Sequence, residues 1–264
     1  MEFVVVIPAR YGSTRLPAKP LREIAGKPLV QHVHECAKRS RATRVIIATD
    51  DDRIRAVAAG FGAQVCMTKA SHATGSDRLA EVIALEKIPD DTIVVNLQGD
   101  EPLMPPAVIN QVAENLAARP QASAATVCMR VLTAKELFDP HVVKVVTNEK
   151  GYALYFSRAP IPWDRDKFPL TGELPSNVIH YRHIGLYAYR SHFLTQFVNW
   201  PGCALEQSES LEQLRILWHG DSIHVAEAAE RPGPGVDTEE DLHHVSGLMA
   251  QGIPVANLRL SRSS

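Results

Sequence analysis

Arg10, Arg15 and Lys19 fall within ten residues of one another in the stretch IPARYGSTRLPAKPL. Three cations beside Gly12 and Ser13 suit an anion: small residues let backbone N–H groups approach it, and the cations balance its charge. A triphosphate is a ligand that such a loop can hold. Surface cations are also common without any ligand, so the element that positions them matters. It is the run Phe3–Ile7, short, apolar and β-branched, which reads as a strand buried on both faces. Ligands of a parallel sheet bind beyond the carboxyl ends of its strands, where this loop begins. Two common phosphate motifs are missing. No G-x-x-x-x-G-K-[ST] occurs, and Gly60 and Gly62 lack the third glycine of a dinucleotide fingerprint.

Two carboxylates could complete a phosphoryl-transfer site. Asp100, in VNLQGDEP, follows a strand, where it could hold Mg²⁺ against bound phosphates. The same residue in Gly99-Asp100-Glu101-Pro102 is equally an ordinary turn residue. Asp237, in GPGVDTEED, could cap the last helix with Glu240 at N3, or Thr238 could cap with Asp241. Capping and metal binding are compatible. Carboxylates far apart in sequence, each at a strand end or loop-to-helix junction, suit a Mg²⁺ site for phosphoryl chemistry.

The elements around them alternate in the first half. A helix is expected over about Pro28–Arg39, with Leu29, Val33 and Ala37 on one face. RVIIATD reads as a strand whose acidic end starts a helix through Ala58, and AQVCM as another strand. GSDRLAEVIALEK reads as a helix with Leu79, Val82, Ile83 and Leu85 as its apolar residues. TIVVNLQGDEP then gives a strand, Pro106–Ala118 a helix and SAATVCM a strand. Strands separated by single helices imply right-handed crossovers and a parallel sheet. After about residue 130 the rhythm changes. VVKVVTN, YALYFSR and HIGLYAYR look like strands without intervening helices, so part of the sheet is expected to be mixed or antiparallel. APIPWDRDKFPLTGELPSN reads as a long surface loop, LEQSESLEQLRILW as one amphipathic helix, and TEEDLHHVSGLMAQ as the last helix. The expected fold is α/β: a doubly wound, mostly parallel sheet with a smaller mixed or antiparallel subdomain inserted in the second half.

Composition narrows the classes. The chain has 264 residues, 45% apolar and 22% charged, with a formal net charge of −2. No broad basic stripe is visible, which disfavours a nucleic-acid-coating protein. The longest apolar runs reach about half the ~20 residues of a membrane span, and the first strand leaves no room for a signal peptide. A cytoplasmic protein is expected. Cys36, Cys66, Cys128 and Cys203 lie far apart with no C-x-x-C pair, and neither His32/His34 nor His243/His244 has the spacing of a metal site.

Several motifs together carry a family pattern. IPARYGSTRLPAKPL, GSDRLAE, NLQGDEP, YALYFSRAPIPWDRD, HIGLYAY, LEQLR and GVDTEEDL, in order from residue 3 to about 249, closely resemble the 3-deoxy-manno-octulosonate (Kdo) cytidylyltransferases. The first motif is shared with sugar nucleotidyltransferases generally; YFSRAPIPWDRD is far narrower. The resemblance implies the nucleotide-diphospho-sugar-transferase fold and the reaction CTP + Kdo → CMP-Kdo + pyrophosphate, feeding lipopolysaccharide assembly. It implies that Arg10, Ser13, Arg15 and Lys19 embrace the triphosphate, with Pro8 and Ala9 also in the nucleotide site. Thr74, Gly75, Arg78, Gln98 and Gly99 would meet the nucleotide; many relatives have Ser-Gly where this chain has Thr74-Gly75. The implied metal ligands, for Mg²⁺, are Asp100 and Asp237. Gln98, Arg158, His183, Tyr187, Glu212 and Gln213 are the implied sugar-site residues. A single domain is expected, with residues 1–130 as the CTP-binding core, about 131–222 for sugar binding and dimerisation, and about 223–250 returning Asp237 to the core.

The residue types suit that chemistry. Arg158 can pair bidentately with the carboxylate of an acidic sugar, and His183 and Glu212 can bond its hydroxyls. Read without the family, Arg158 is equally an exposed strand end, and Glu212 a solvated partner of Arg215 three residues on. The expected step is in-line attack by the anomeric 2-hydroxyl of Kdo on the α-phosphorus of CTP. Asp100 and Asp237 would hold one Mg²⁺ and the triphosphate carry a second, while Arg15 and Lys19 stabilise the β- and γ-phosphates. The alternatives are a cytidylyltransferase for 8-amino-Kdo or a nonulosonic acid, and a nucleotide-binding regulator without catalysis. A homodimer is implied by the resemblance, through HIGLYAYR and the Leu205–Trp218 helix, whose apolar content could equally be core.

Overall fold

The apolar run at the start of the chain becomes strand β1, Phe3–Ala9, in which Val5, Val6 and Ile7 are wholly buried. The computed structural model describes residues 1–12, 15–168, 174 and 178–250. A short 3-10 turn at Lys19–Leu21 and a small hairpin (β2, Glu23–Ile24; β3, Lys27–Pro28) follow β1. Then helix and strand alternate: α1 Leu29–Lys38, β4 Arg44–Thr49, α2 Asp52–Gly60, β5 Gln64–Met67, α3 Gly75–Leu85, β6 Ile93–Asn96, α4 Pro106–Ala117 and β7 Ala124–Arg130. β1 pairs in parallel with β4 and β6, and β4 with β5, as single-helix crossovers require.

The second half contains α5 Ala134–Phe138, β8 Lys144–Thr147, β9 Ala153–Ser157, β10 Tyr181–Arg190, α6 Ser191–Phe197, α7 Ala204–Glu209, α8 Gln213–Trp218, β11 Ile223–Glu227 and α9 Glu239–Ala250. The main sheet runs β11-β7-β10-β6-β1-β4-β5, with β8 attached to β10 and β9 to β8. β10 is antiparallel to both β6 and β7, and β11 is parallel to β7. This is the doubly wound, mostly parallel sheet with an antiparallel extension that the sequence predicts. Residues of α1, α2 and α4 pack on one face of the sheet, and those of α3, α6 and α8 on the other.

The register of β10 against β7 shifts between Ile184 and Tyr187. Such a bulge re-aims the side chains beside it. Thr126 Oγ1 lies 3.0 and 2.8 Å from the Ile184 and Leu186 carbonyls, so the irregular backbone stays hydrogen-bonded. Along its other edge β10 pairs with β8 through Tyr181–Arg182 and with β6 through Tyr187–Arg190. The bulge therefore sits where the parallel sheet gives way to the antiparallel extension.

Two expectations need correction. The apolar residues of HIGLYAYR are core, with Ile184, Leu186, Tyr187, Ala188 and Tyr189 buried in the sheet. LEQSESLEQLRILW forms two helices, because Ser210 takes a left-handed φ of 51° and ends α7. Its apolar spacing runs across that break and hides it. Leu85, at the end of α3, is exposed because the helix turns past its packed face before it stops. The sequence pattern also passes over α5, α6 and β11. Among the described residues no helix is long and apolar enough to cross a membrane.

Candidate active site

The cationic loop after β1 is pinned by Leu16, which is buried with Leu29, Val236, Leu242 and Val245. Ala18 takes a left-handed φ of 54° at the start of the 3-10 turn that carries Lys19. Lys19 Nζ donates to Asp100 Oδ2 at 2.7 Å and to Asp237 Oδ1 at 2.9 Å. Arg15 Nη2 lies 3.2 Å from the same Asp237 oxygen. Burial works to lower the Lys19 pKa, but Asp100 and Asp237 outweigh it and hold the ammonium above its ordinary value.

Asp237 reaches Asp100 because the segment before α9 lies against the turn after β6. Val236 N–H donates to the Asp100 carbonyl at 2.8 Å, and Gly233 N–H to the Leu103 carbonyl at 3.2 Å. A Cβ on Gly233 would stand 2.6 Å from Leu103 Cβ, so the close approach needs glycine there. Thr238, paired reciprocally with Asp241, starts α9. Of the two capping alternatives the structure takes Thr238, which leaves the Asp237 carboxylate to Lys19 and Arg15. Sequence reasoning passed over Glu101. Burial foremost, with Asp100 beside it, pushes this carboxyl up to about 8. Its only signal in the sequence is adjacency to Asp100.

Asp100 and Asp237 offer hard oxygen donors suited to Mg²⁺. Among the described residues no group of three His, Cys, Asp or Glu residues could hold a metal. Two carboxylates with substrate phosphates and water complete the coordination typical of Mg²⁺, so the donor set fits.

The residues expected at the nucleotide form a rim along the ends of β1, β6 and α3. A Cβ on Gly99 would stand 2.6 Å from the Pro8 carbonyl oxygen, and one on Gly75 would stand 3.9 Å from Pro8 Cγ. Pro8, Gly75 and Gly99 thus meet at one place, with Ala9 buried beside them. Thr74 caps α3 through a reciprocal pairing with Asp77, a task the serine of related chains would also perform. Arg10 Nη1 lies 3.4 Å from the Ala73 carbonyl. Gln98 is half-buried. Arg78 lies under the rim: it is wholly buried, 3.0 Å from Asp50 Oδ2, and also bonded to Thr68. Ser13 lies outside the described residues.

The sugar-side residues approach from the second half. A cleft of about 560 Å³ is lined by Arg15, Pro140, His141, Arg158, Ser210 and Asp237. Arg158 is no loose strand end. Its Nε donates to the Glu209 carbonyl at 2.7 Å and its Nη1 to the Pro140 carbonyl at 2.9 Å. Among the described residues no carboxylate pairs with its guanidinium, whose charge is left for a ligand. Glu212 does pair with Arg215, at 3.2 Å, but in a half-buried setting where it also accepts from Ser76 Oγ at 2.7 Å. That bond ties the nucleotide rim to the sugar side. Gln213 is buried at the start of α8. His183 lies against Phe156 and Tyr187, with Nε2 3.0 Å from Thr126 Oγ1. The Tyr187 hydroxyl is buried and finds no hydrogen-bond partner of good geometry among the described residues.

The arrangement joins a cationic polyphosphate loop, a pair of metal-competent carboxylates and an arginine-lined cleft for an acid. A family model described as cytidylyltransferase matches residues 4–223. A 3-deoxy-manno-octulosonate cytidylyltransferase of Cellvibrio japonicus is 58% identical, covering 96% of this chain and 100% of its own. One of Hahella chejuensis is 56% identical, over 94% of this chain and 98% of its own. A solved structure of CMP:2-keto-3-deoxy-manno-octonic acid synthetase complexed with CTP superposes with a TM-score of 0.87 at 42% identity, over 96% of this chain and 100% of that one.

Burial foremost, and Arg182 beside it, pushes the His183 imidazole down to about 3. The Thr126 hydroxyl gives its one proton to a bulge carbonyl, so His183 Nε2 is the donor between the two. In the unfolded chain this histidine takes up a proton below about pH 6.5. Its contribution to stability is therefore full above that pH and is lost as the pH falls toward 3. Nitrogen-detected NMR of the folded protein is expected to show His183 neutral and Nε2-protonated at pH 5; an imidazolium there would contradict the assignment.

Proposed function

This chain belongs to the 3-deoxy-manno-octulosonate cytidylyltransferases, and we propose that Asp100 and Asp237 hold the Mg²⁺ its reaction uses while Arg158 receives the sugar. The enzyme transfers CMP from CTP to Kdo and releases pyrophosphate. The anomeric 2-hydroxyl oxygen of Kdo forms a bond to the α-phosphorus as the bond from that phosphorus to the β-bridging oxygen breaks. The hydroxyl proton leaves to solvent, and the electron pair leaves with pyrophosphate.

The observation that carries the residue assignment is the meeting of Lys19 with both Asp100 and Asp237, next to the cleft that holds Arg158. When bound, Mg²⁺ would neutralise phosphate charge and acidify the attacking hydroxyl. Arg10, Arg15, Lys19 and Ser13 are assigned to the triphosphate, where Arg15 and Lys19 offset the charge that grows on the leaving group. Pro8, Ala9, Thr74, Gly75, Arg78, Gln98 and Gly99 are assigned to the nucleotide, Arg78 by bracing the rim from below. Arg158 would fix the Kdo carboxylate, and His183, Tyr187, Glu212, Gln213 and Gln98 its hydroxyls. Residues 1–130 would serve CTP, about 131–222 the sugar, and about 223–250 would return Asp237. A CTP-dependent synthesis belongs in the cytoplasm, where it would feed lipopolysaccharide assembly; cell fractionation checks the compartment.

A second copy of the chain is proposed to cover an apolar patch. Leu132, Phe138, Trp163 and Ile179 are exposed around it. The rings of Phe138 and Trp163 lie 5.4 and 4.8 Å from that of Phe168. Contiguous exposed apolar surface of this kind marks interaction sites. Light scattering is expected to give a dimer mass, and Trp163→Glu a monomer; wild-type monomer at every concentration would contradict the surface.

Pyrophosphate release is expected only when CTP, Mg²⁺ and an acidic sugar are all present, fastest with Kdo and slower with 8-amino-Kdo or nonulosonic acids. Asp100→Asn is expected to lower kcat by about 100-fold or more. Near wild-type turnover of that variant at saturating Mg²⁺ would remove Asp100 from the metal site.

A further inference from the structure

Lys144 is wholly buried on β8, away from the reacting groups, and no carboxylate among the described residues pairs with it. A buried ammonium is costly unless its donors are met. Here its three N–H groups meet three carbonyls: Asp139 at 2.9 Å, Arg158 at 2.6 Å, and Val142. Two of these bracket Pro140, and Pro140 supplies the carbonyl that accepts from Arg158 Nη1. The third is the backbone carbonyl of Arg158 itself. One ammonium therefore ties down both the backbone from which Arg158 springs and the turn against which its guanidinium rests. Glu209 holds the same residue from the opposite side, accepting from Arg158 N–H and Ser157 Oγ through its two carboxylate oxygens.

We propose that Lys144 is a positioning residue for the acidic substrate, aiming Arg158 into the cleft by clamping its carbonyl to the 139–142 turn. The inference rests on the reading that Arg158 receives the sugar carboxylate. A hydrophobic side chain would pack in the same space, so the charge needs a reason beyond packing. Three convergent carbonyls can be satisfied at once by an ammonium and by no apolar group. A guanidinium tethered only by two carbonyls would swing if the turn moved, and small misplacements of a substrate-orienting group lower affinity steeply.

Steady-state pyrophosphate release by the full-length enzyme tests this with Lys144→Met, Arg158→Ala and the double variant. Lys144→Met is expected to raise KM for Kdo about tenfold and leave KM for CTP within about twofold. In the Arg158→Ala background the same substitution is expected to add less than about twofold, because the group it positions is gone. Lys144→Gln, which keeps two N–H donors, is expected to recover part of the loss. An unchanged KM for Kdo, or an equal factor in both backgrounds, would overturn the proposal. So would failure of both Lys144 variants to fold, which would make the residue a folding element alone. Should Arg158→Ala itself leave KM for Kdo unchanged, the assignment of the carboxylate to Arg158 fails instead.

Discussion

The ammonium of Lys19 stands between two carboxylates that backbone contacts of Val236 and Gly233 bring within its reach. Asp100 comes from the turn after β6 and Asp237 from the segment before α9, and each touches the same nitrogen. Without a cation between them the two carboxylates would repel. The contact also couples three parts of the molecule: the phosphate loop after β1, the end of the central sheet, and the last helix. Everything proposed for the reaction needs those three in register. The ammonium holds, in the resting protein, a position between oxygens that suit a divalent cation.

The sugar side depends on a different constraint, the placement of an antiparallel strand inside a parallel sheet. β10 bridges the parallel strands to the β8–β9 extension, and its bulge falls at the crossing. His183 and Tyr187 flank that bulge, and Thr126 keeps its carbonyls bonded. The nucleotide rim meets the sugar side through Ser76 and Glu212, and Arg158 closes the cleft from β9.

Much of this was legible in the sequence because it is written in local terms. Buried parallel strands read as unbroken apolar runs, and Arg15, Lys19, Asp100 and Asp237 stand at strand ends or loop junctions. Other parts were not legible, for physical reasons. The left-handed Ser210 interrupts a helix whose apolar spacing runs on regardless. β10 reads as an amphipathic surface candidate, because tyrosines stacked in a core look the same in sequence as tyrosines at an interface. Arg78 carries a functional residue type yet spends its charge on Asp50. Lys144 sits in VVKVVTN as one lysine among valines, and only the fold shows the three carbonyls around it. Capping by Thr238 rather than Asp237 was an open choice until the backbone closed it.

The most direct test of the central contact is metal binding in the absence of nucleotide, with free Mn²⁺ titrated by electron paramagnetic resonance. If the Lys19 ammonium occupies the place of a cation between Asp100 and Asp237, Lys19→Met removes a competitor, and Mn²⁺ binds about tenfold or more tightly than to the wild type. Equal or weaker binding by Lys19→Met would show that the two carboxylates do not share a cation site, and would contradict the account.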